Sequence, residues 1–387
     1  MPDDIRSHPL PDLSALSPAV RAYIEMLQAE NRSLRAELEQ AKGVRRPAPT
    51  AAPRVSAPRS PGAERAEPEP LNLPAIQYSP DTMLISLSGQ GMVKRTPLNA
   101  YGKQRRGGMG VYDIKLKDDD PPAFLLTALA TETLVLVTTR CRTFRVPVST
   151  LRPGDVRDRG DNLAERLRLT EGEKISAVLA VNDANESDRP WVLLGAATGV
   201  VRRLRRNVIG PNLADGIILY DPKDGGAPTV MCLSRGDGDL FLASNTGLGI
   251  RFEEKLVSHR GTRGMRLTPQ ERLVGVAPLP ADGGVLLVSA DGQGVRRPME
   301  SFAASKTVGG QGKIAIKTDS LVAALSVSDA DEVLCISAFA KLIRFDAAEV
   351  PPRTSVAQGV NVMELRGDRV AAVVISTPPG YSAIVGD

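Results

Sequence analysis

Aromatic side chains are scarce: seven Phe, six Tyr and one Trp make up 4% of the 387 residues. Few lie in the basic loops described below, so base stacking and single-strand nucleic-acid binding are not the expected mode. The two histidines, His8 and His259, leave little room for histidine-based metal or triad chemistry. Cys141, Cys232 and Cys335 stand far apart in apolar runs. That fits neither a disulfide frame nor a zinc spacing, and it points to a reducing cytoplasm. No apolar run reaches the roughly 18 residues of a membrane span, and residues 1–21 lack an apolar core of signal-peptide length. GQG, GLG and GGQG are hairpin turns, because no helix follows them as a dinucleotide loop requires. No cofactor is therefore expected, and no enzyme framework emerges. The acids at 115–120 and 328–332 read as turn formers. A net charge of +4, from 49 basic and 45 acidic residues, is too mild to name a polyanionic partner.

What is present falls into three zones. Residues 1–42 carry a helical pattern, with Ser17 as N-cap and Pro18 at the first helical position. Ile24, Leu27, Asn31, Leu34 and Leu38 then alternate in steps of three and four, an a/d seam. Asn31 at an a position favours a parallel pair in fixed register. In that frame Glu30 faces Arg35 and Glu37 faces Lys42 across the two strands of a homodimer through residues 17–42. An amphipathic helix packed on its own domain is the alternative. Residues 43–75 hold eight prolines and no periodicity, and are expected to stay disordered as a tether.

Residues 76–387 repeat. An apolar residue followed by a basic one recurs as Val93-Lys94, Phe144-Arg145, Val201-Arg202, Ile250-Arg251, Val295-Arg296 and Ile343-Arg344, with spacings of 51, 57, 49, 45 and 48 residues. Thr138, Ser244, Ser289 and Ser337 stand seven positions before the basic residue. An apolar strand run and a hairpin turn precede each anchor, and a second apolar run lies upstream of each strand. One unit is about four short strands, which cannot bury both faces alone and must stack. Six such units predict an all-β, six-bladed propeller-like ring. The final run, residues 370–377, is expected to close the ring against the first blade. An open solenoid would need capping units, and none is visible.

The segment after the first anchor is the most unusual. Lys94 and Arg95 are followed by Lys103, Gln104, Arg105, Arg106, Gly107, Gly108, Met109 and Gly110. From Met92 to Val111 there are five basic residues and no acid. Glycines let the backbone approach a partner closely, and paired arginines offer planar donor forks to phosphate. Weaker echoes occur at 259–264, 308–313 and 357–359, so the glycines are partly a structural need of every blade.

GQGMVKRTPLNAYGKQRRGGMGV resembles the first blade of the DNA gyrase A C-terminal domain, and QRRGGMG resembles that family's seven-residue gyrase box. The resemblance covers about residues 76–387. It implies a six-bladed β-pinwheel with strands exchanged between neighbouring blades. It also implies that DNA bends around a basic rim and that the box is needed for wrapping. Met109 stands where the box is usually basic. The N-terminal helix and proline linker stand where gyrase has its DNA-breakage region with the catalytic tyrosine, and no ATP-binding region is seen.

Local charge agrees with a polyanion partner. Residues 1–75 hold ten charges of each sign, so residues 76–387 keep the whole excess, 39 against 35. Unit two carries Arg140, Arg142, Arg145, Arg152, Arg157 and Arg159; unit three Arg202, Arg203, Arg205 and Arg206; unit five Arg296, Arg297 and Lys306. Acids collect at 117–120, 182–188 and 328–332. The expected duplex path starts at Lys94, Arg95, Lys103, Gln104, Arg105, Arg106 and the box glycines. It continues over Arg145, Arg202, Arg203, Arg251, Arg263, Arg296, Arg297 and Arg344, phosphate-led and sequence-tolerant. Three readings follow: a non-catalytic, nucleoid-associated binder that bends or wraps duplex DNA, an accessory subunit supplying wrapping in trans to a type II topoisomerase, and a propeller scaffold for protein partners.

Overall fold

The computed structural model describes Arg32 and residues 81–185, 187–279 and 283–377. The chain divides into two units, Met1–Asn72 and Leu73–Asp387. In the first, only Arg32 is described, exposed and helical. The seam residues Ile24, Leu27, Asn31, Leu34 and Leu38, and the linker 43–75, lie outside the described residues.

The second unit is all-β. Blade 1 is formed by β1 (Thr82–Ser88), β2 (Met92–Pro97) and, after the short β3 (Val111–Tyr112), β4 (Pro122–Leu129). Blade 2 has β5 (Thr133–Thr138), β6 (Arg142–Pro147), the short β7 (Asp161–Asn162) and β8 (Ile175–Val181). Blade 3 has β9 (Trp191–Ala196), β10 (Val200–Arg205), β11 (Ile217–Ile218) and β12 (Pro228–Ser234). Blade 4 has β13 (Asp239–Ser244), β14 (Leu248–Glu253), β15 (Thr262–Arg263) and β16 (Leu273–Leu279). Blade 5 has β17 (Gly284–Ser289), β18 (Gln293–Pro298), β19 (Lys313–Ile314) and β20 (Leu321–Val327). Blade 6 has β21 (Glu332–Ser337), β22 (Lys341–Asp346), β23 (Val360–Asn361) and β24 (Val370–Ser376).

The short strand never stays in its own blade. β7 pairs with β2, β11 with β6, β15 with β10, β19 with β14 and β23 with β18. Each is handed back to the preceding blade, and the first blade hands β3 to β22 of the last. Every sheet thus has four strands, and its outer edge is covered by a neighbour's segment rather than left open.

The local chemistry explains the pattern. The first strand of each blade is one of the two central strands of its sheet and is buried on both faces, so it reads as a continuous apolar run such as TLVLVT or GVLLVS. Its last residue closes a three-residue hairpin whose final position has positive φ: Gly91, Cys141, Gly199, Gly247, Gly292 and Ala340. In blades 1 and 2 the buried hydroxyl before the turn pairs with an acid from the loop that leads to the inner strand. Ser88 Oγ donates to Asp120 at 2.7 Å and Thr138 Oγ1 to Glu173 at 2.6 Å.

Side chains of adjacent blades form six apolar clusters, one at each blade boundary. The cluster of Leu84, Leu98 and Tyr101 with Leu334, Ile336 and Leu342 joins blade 1 to blade 6, so the ring is closed. Residues 370–377 pack against β4 of the first blade, as expected, but their strand pairing stays within their own blade. β24 is the inner strand of blade 6 and pairs with β21. The hydrogen-bonded seal is β3, because exchange runs backwards and the last blade can take its edge only from the first.

Candidate nucleic-acid interface

The fourth residue of every second strand is an arginine: Arg95, Arg145, Arg203, Arg251, Arg296 and Arg344. They stand opposite Ile85, Val135, Leu193, Phe241, Leu286 and Leu334. In blades 1 and 3 the sequence alignment selects Lys94 and Arg202, one residue short of this register.

These arginines face protein, not solvent. A 3-10 turn follows each second strand, and each arginine reaches the turn of the next blade. Arg95 Nε donates to Leu151 O at 2.8 Å, and Arg145 Nη1 donates to Ile209 O. Arg203 lies 4.0 Å from Glu254. Arg251 Nη1 donates to Met299 O at 2.8 Å and Phe302 O at 3.1 Å, and Arg296 Nη1 to Ala347 O at 3.2 Å. Arg344 Nη1 donates across the closure to Leu98 O at 3.2 Å and Tyr101 O at 2.9 Å. A carboxylate completes four of the pairings: Asp183 on Arg145, Asp239 on Arg251 at 2.7 Å, Asp329 on Arg296, and Glu332 on Arg344 at 2.7 Å. Each carbonyl can accept a second hydrogen bond, and a guanidinium fork supplies several donors at once.

Other members of the expected path are buried outright. Lys94 is ion-paired to Asp113 at 2.9 Å and donates to Asp155 O at 3.0 Å, with Ser86 and Tyr101 also bonded to Asp113. Arg202 lies 4.0 Å from the Tyr220 ring centroid and donates to the carbonyls of Arg260 and Asp224. Arg297 donates to Ser355 O, and burial lowers its pKa. A guanidinium or ammonium whose donors are spent in the interior has none left for phosphate. Lys94, Arg202, Arg297 and Arg344 are buried and Arg145, Arg251 and Arg296 half-buried, so the strand positions offer little donor surface to a phosphate.

The box loop docks on blade 6. Gln104 N donates to Arg344 O at 2.8 Å and Gly107 N to Val362 O at 2.9 Å. Arg106 Nε donates to Glu349 O at 2.8 Å and Nη1 to Asn361 O at 3.1 Å. Lys103 sits between Glu332 at 2.6 Å and Asp346 at 2.7 Å. Gly110 has φ +71°, and a Cβ there would lie 2.6 Å from Leu342 O. Gly108 packs tightly as well, its would-be Cβ 2.9 Å from Gln104 Oε1. The glycines serve the crossing to blade 6. Arg105 alone among the box cations is exposed without an ion pair among the described residues.

One set of exposed cations lies in or beside the crossing loops at the outer edge, while others, such as Lys115, Arg140, Arg166, Arg189, Lys223, Arg272 and Arg369, are exposed elsewhere on the ring. The outer-edge set comprises Arg105 in blade 1, then Arg152, Arg157 and Arg159 in blade 2. Lys255, Arg260 and Arg263 follow in blade 4, Lys306 and Lys313 in blade 5, and Arg353 in blade 6. A cavity of about 550 Å³ between the box loop and the blade 2 loop is lined by Lys103, Gln104, Val156 and Arg157. The blade 3 loop exposes no cation. Of these residues only Arg105 and Arg263 belong to the expected path. The usable signal was position: apart from Arg263 and Lys313, which lie in the short strands themselves, each lies between an anchor and the glycine before the next short strand. Among the described residues no group of three or more His, Cys, Asp or Glu could hold a metal, and no helix is long and apolar enough to cross a membrane.

The family described as DNA gyrase C-terminal domain, beta-propeller, matches residues 82–121, 238–280, 285–328 and 331–377. The DNA gyrase A protein of Salmonella typhimurium is 28% identical over 299 residues, covering 75% of this chain and 34% of that protein. That of Mycobacterium leprae is 27% identical over 305 residues, covering 76% and 24%. That of Neisseria gonorrhoeae is 29% identical over 335 residues, covering 73% and 36%. The chain thus spans about a third or less of the length of these relatives. A solved DNA gyrase A C-terminal domain superposes with a TM-score of 0.67 at 23% identity, covering 76% of this chain and 99% of that domain. The C-terminal domain of DNA topoisomerase IV gives 0.55 at 18% identity, covering 77% and 94%.

Proposed function

We propose that this chain, whose pinwheel unit belongs to the DNA gyrase A C-terminal domain family, binds duplex DNA without catalysing a reaction and bends or wraps it around the outer edge of the ring. The supporting observation is the exposure of cations in the crossing loops of five blades, while the strand arginines are spent within the protein. Cations spaced along a curved edge meet phosphates only if the duplex follows the curve. Bending a short site by 40–90° costs on the order of 1–6 kcal/mol, which repeated phosphate contacts offset. Recognition through phosphate is sequence-tolerant. Residues 17–42, whose heptad pattern reads as a coiled coil, are proposed to join two such rings and bridge DNA segments, with residues 43–75 setting the reach.

The relatives support a second reading, in which the ring supplies wrapping in trans to a type II topoisomerase. Stimulated supercoiling, or co-purification with topoisomerase subunits, would favour it over an independent, nucleoid-associated role.

The test is a titration of the full chain with a short duplex and one of about 150 base pairs, at 50 and 200 mM salt. If 6–10 phosphates are engaged, affinity for the long duplex falls by roughly 10³–10⁵ across that range. A flat salt response, or equal and weak binding to both lengths, would overturn the wrapping reading and leave a scaffold for protein partners.

A further inference from the structure

Blade 3 interrupts the basic edge. Its crossing loop, residues 206–216, exposes one charge, and that is Asp215. Arg206 is buried and donates to Asn182 O. A duplex passing from Arg152 in blade 2 to Lys255 in blade 4 finds no cation in this loop.

One exposed arginine stands at its start. Arg205 is the last residue of β10, where the other blades carry Pro97, Pro147, Glu253, Pro298 and Asp346. It pairs across the hairpin with Trp191. Its guanidinium carbon lies 4.0 Å from the indole centroid, and that of Arg203 lies 4.1 Å away. The seat of the indole is built: Gly236 has φ +92°, and a Cβ there would overlap the indole Nε1. Arg203 turns toward Glu254 at 4.0 Å. No protein acceptor for the Arg205 guanidinium is found among the described residues. Stacking occupies the face of a guanidinium and leaves the N–H edge free, and that edge matches two phosphate oxygens.

We infer that Arg205 is the phosphate contact of blade 3 and that Trp191 is its positioning residue, an inference resting on the duplex-binding reading above. The stack restricts a long side chain before DNA arrives, so less rotamer freedom is lost on binding.

The chain has one tryptophan, so its emission reports on Trp191 and the arginines that lie over it. The full chain is titrated with a duplex of about 150 base pairs at several salt concentrations, following Trp191 emission in one series and anisotropy of a labelled duplex in another. The expected result is a saturable emission change that tracks anisotropy and reverses with salt. Arg205→Ala should abolish that change and lower the slope of log affinity against log salt by about one unit. Arg205→Lys keeps the charge and should retain the slope while binding more weakly. If the duplex binds with unchanged emission and Arg205→Ala keeps the wild-type slope, the inference fails and the duplex-binding reading stands. If the wild-type chain shows no salt-sensitive binding, both fail.

Discussion

At the scale of single residues, the question for each cation is whether its donors are spent. Lys94→Met would leave Asp113 buried without its cation, at a cost of about 3–5 kcal/mol. Chemical denaturation should show that loss, while duplex affinity of the folded fraction stays unchanged. Arg105→Ala should do the reverse, leaving stability within about 0.5 kcal/mol of wild type while lowering the salt slope of binding. Glu173 offers a pH readout. Burial raises its pKa, but hydrogen bonds from Thr138 and Thr170 and the Arg142 guanidinium outweigh this and hold it down at about 2. A folded-state value below the unfolded one, about 4.3, contributes stability that is fully present above pH ~5. That stability disappears as pH falls toward 2. Glu173→Gln should therefore destabilise at pH 7 by roughly 1–3 kcal/mol, and denaturation curves of variant and wild type should converge in acid.

At the scale of elements, the exchanged strands are only two residues long, so strand pairing alone holds them weakly. Each follows directly on a glycine: Gly110, Gly160, Gly216, Gly261, Gly312 or Gly359. At Gly110 both the positive φ and the nearness of Leu342 O forbid a side chain. Gly110→Ala should cost about 2 kcal/mol or more and open residues 102–112 to limited proteolysis. Gly102→Ala is the control, because nothing lies within 4 Å of a Cβ there. Equal protease resistance of the two variants would show that β3 is not held through this contact.

At the scale of the whole molecule, the ring is closed by contacts between residues more than 200 positions apart: β3 on β22, Arg344 on Leu98 and Tyr101, and the shared apolar cluster. For the proposed wrapping, closure matters because a fixed ring presents its crossing loops on one continuous curve. Arg344→Ala removes the closing staple and leaves buried Glu332 with Lys103 as its remaining described ion-pair partner. A loss of about 3 kcal/mol is expected. Small-angle scattering should show a larger radius of gyration, and binding to a long duplex should weaken more than binding to a short one.

The sequence by itself determined the six-fold repeat, the all-β class and the crossing glycines. Continuous apolar runs, hairpin turns and spaced basic residues are local patterns that survive without coordinates. Even the arginine register was present: the step of seven that joins Thr138 to Arg145 also joins Ser88 to Arg95 and Ala196 to Arg203. Only the tertiary structure decided which cations face outward. The partners of Arg344 lie 243 and 246 residues away, and Lys94 is buried by an aspartate delivered on the segment that crosses to blade 6. Charge is a property of the residue, but exposure is a property of the neighbours. In an exchanged ring those neighbours come from the adjacent blade, so spacing along the chain does not reveal whether a guanidinium meets solvent or a carbonyl.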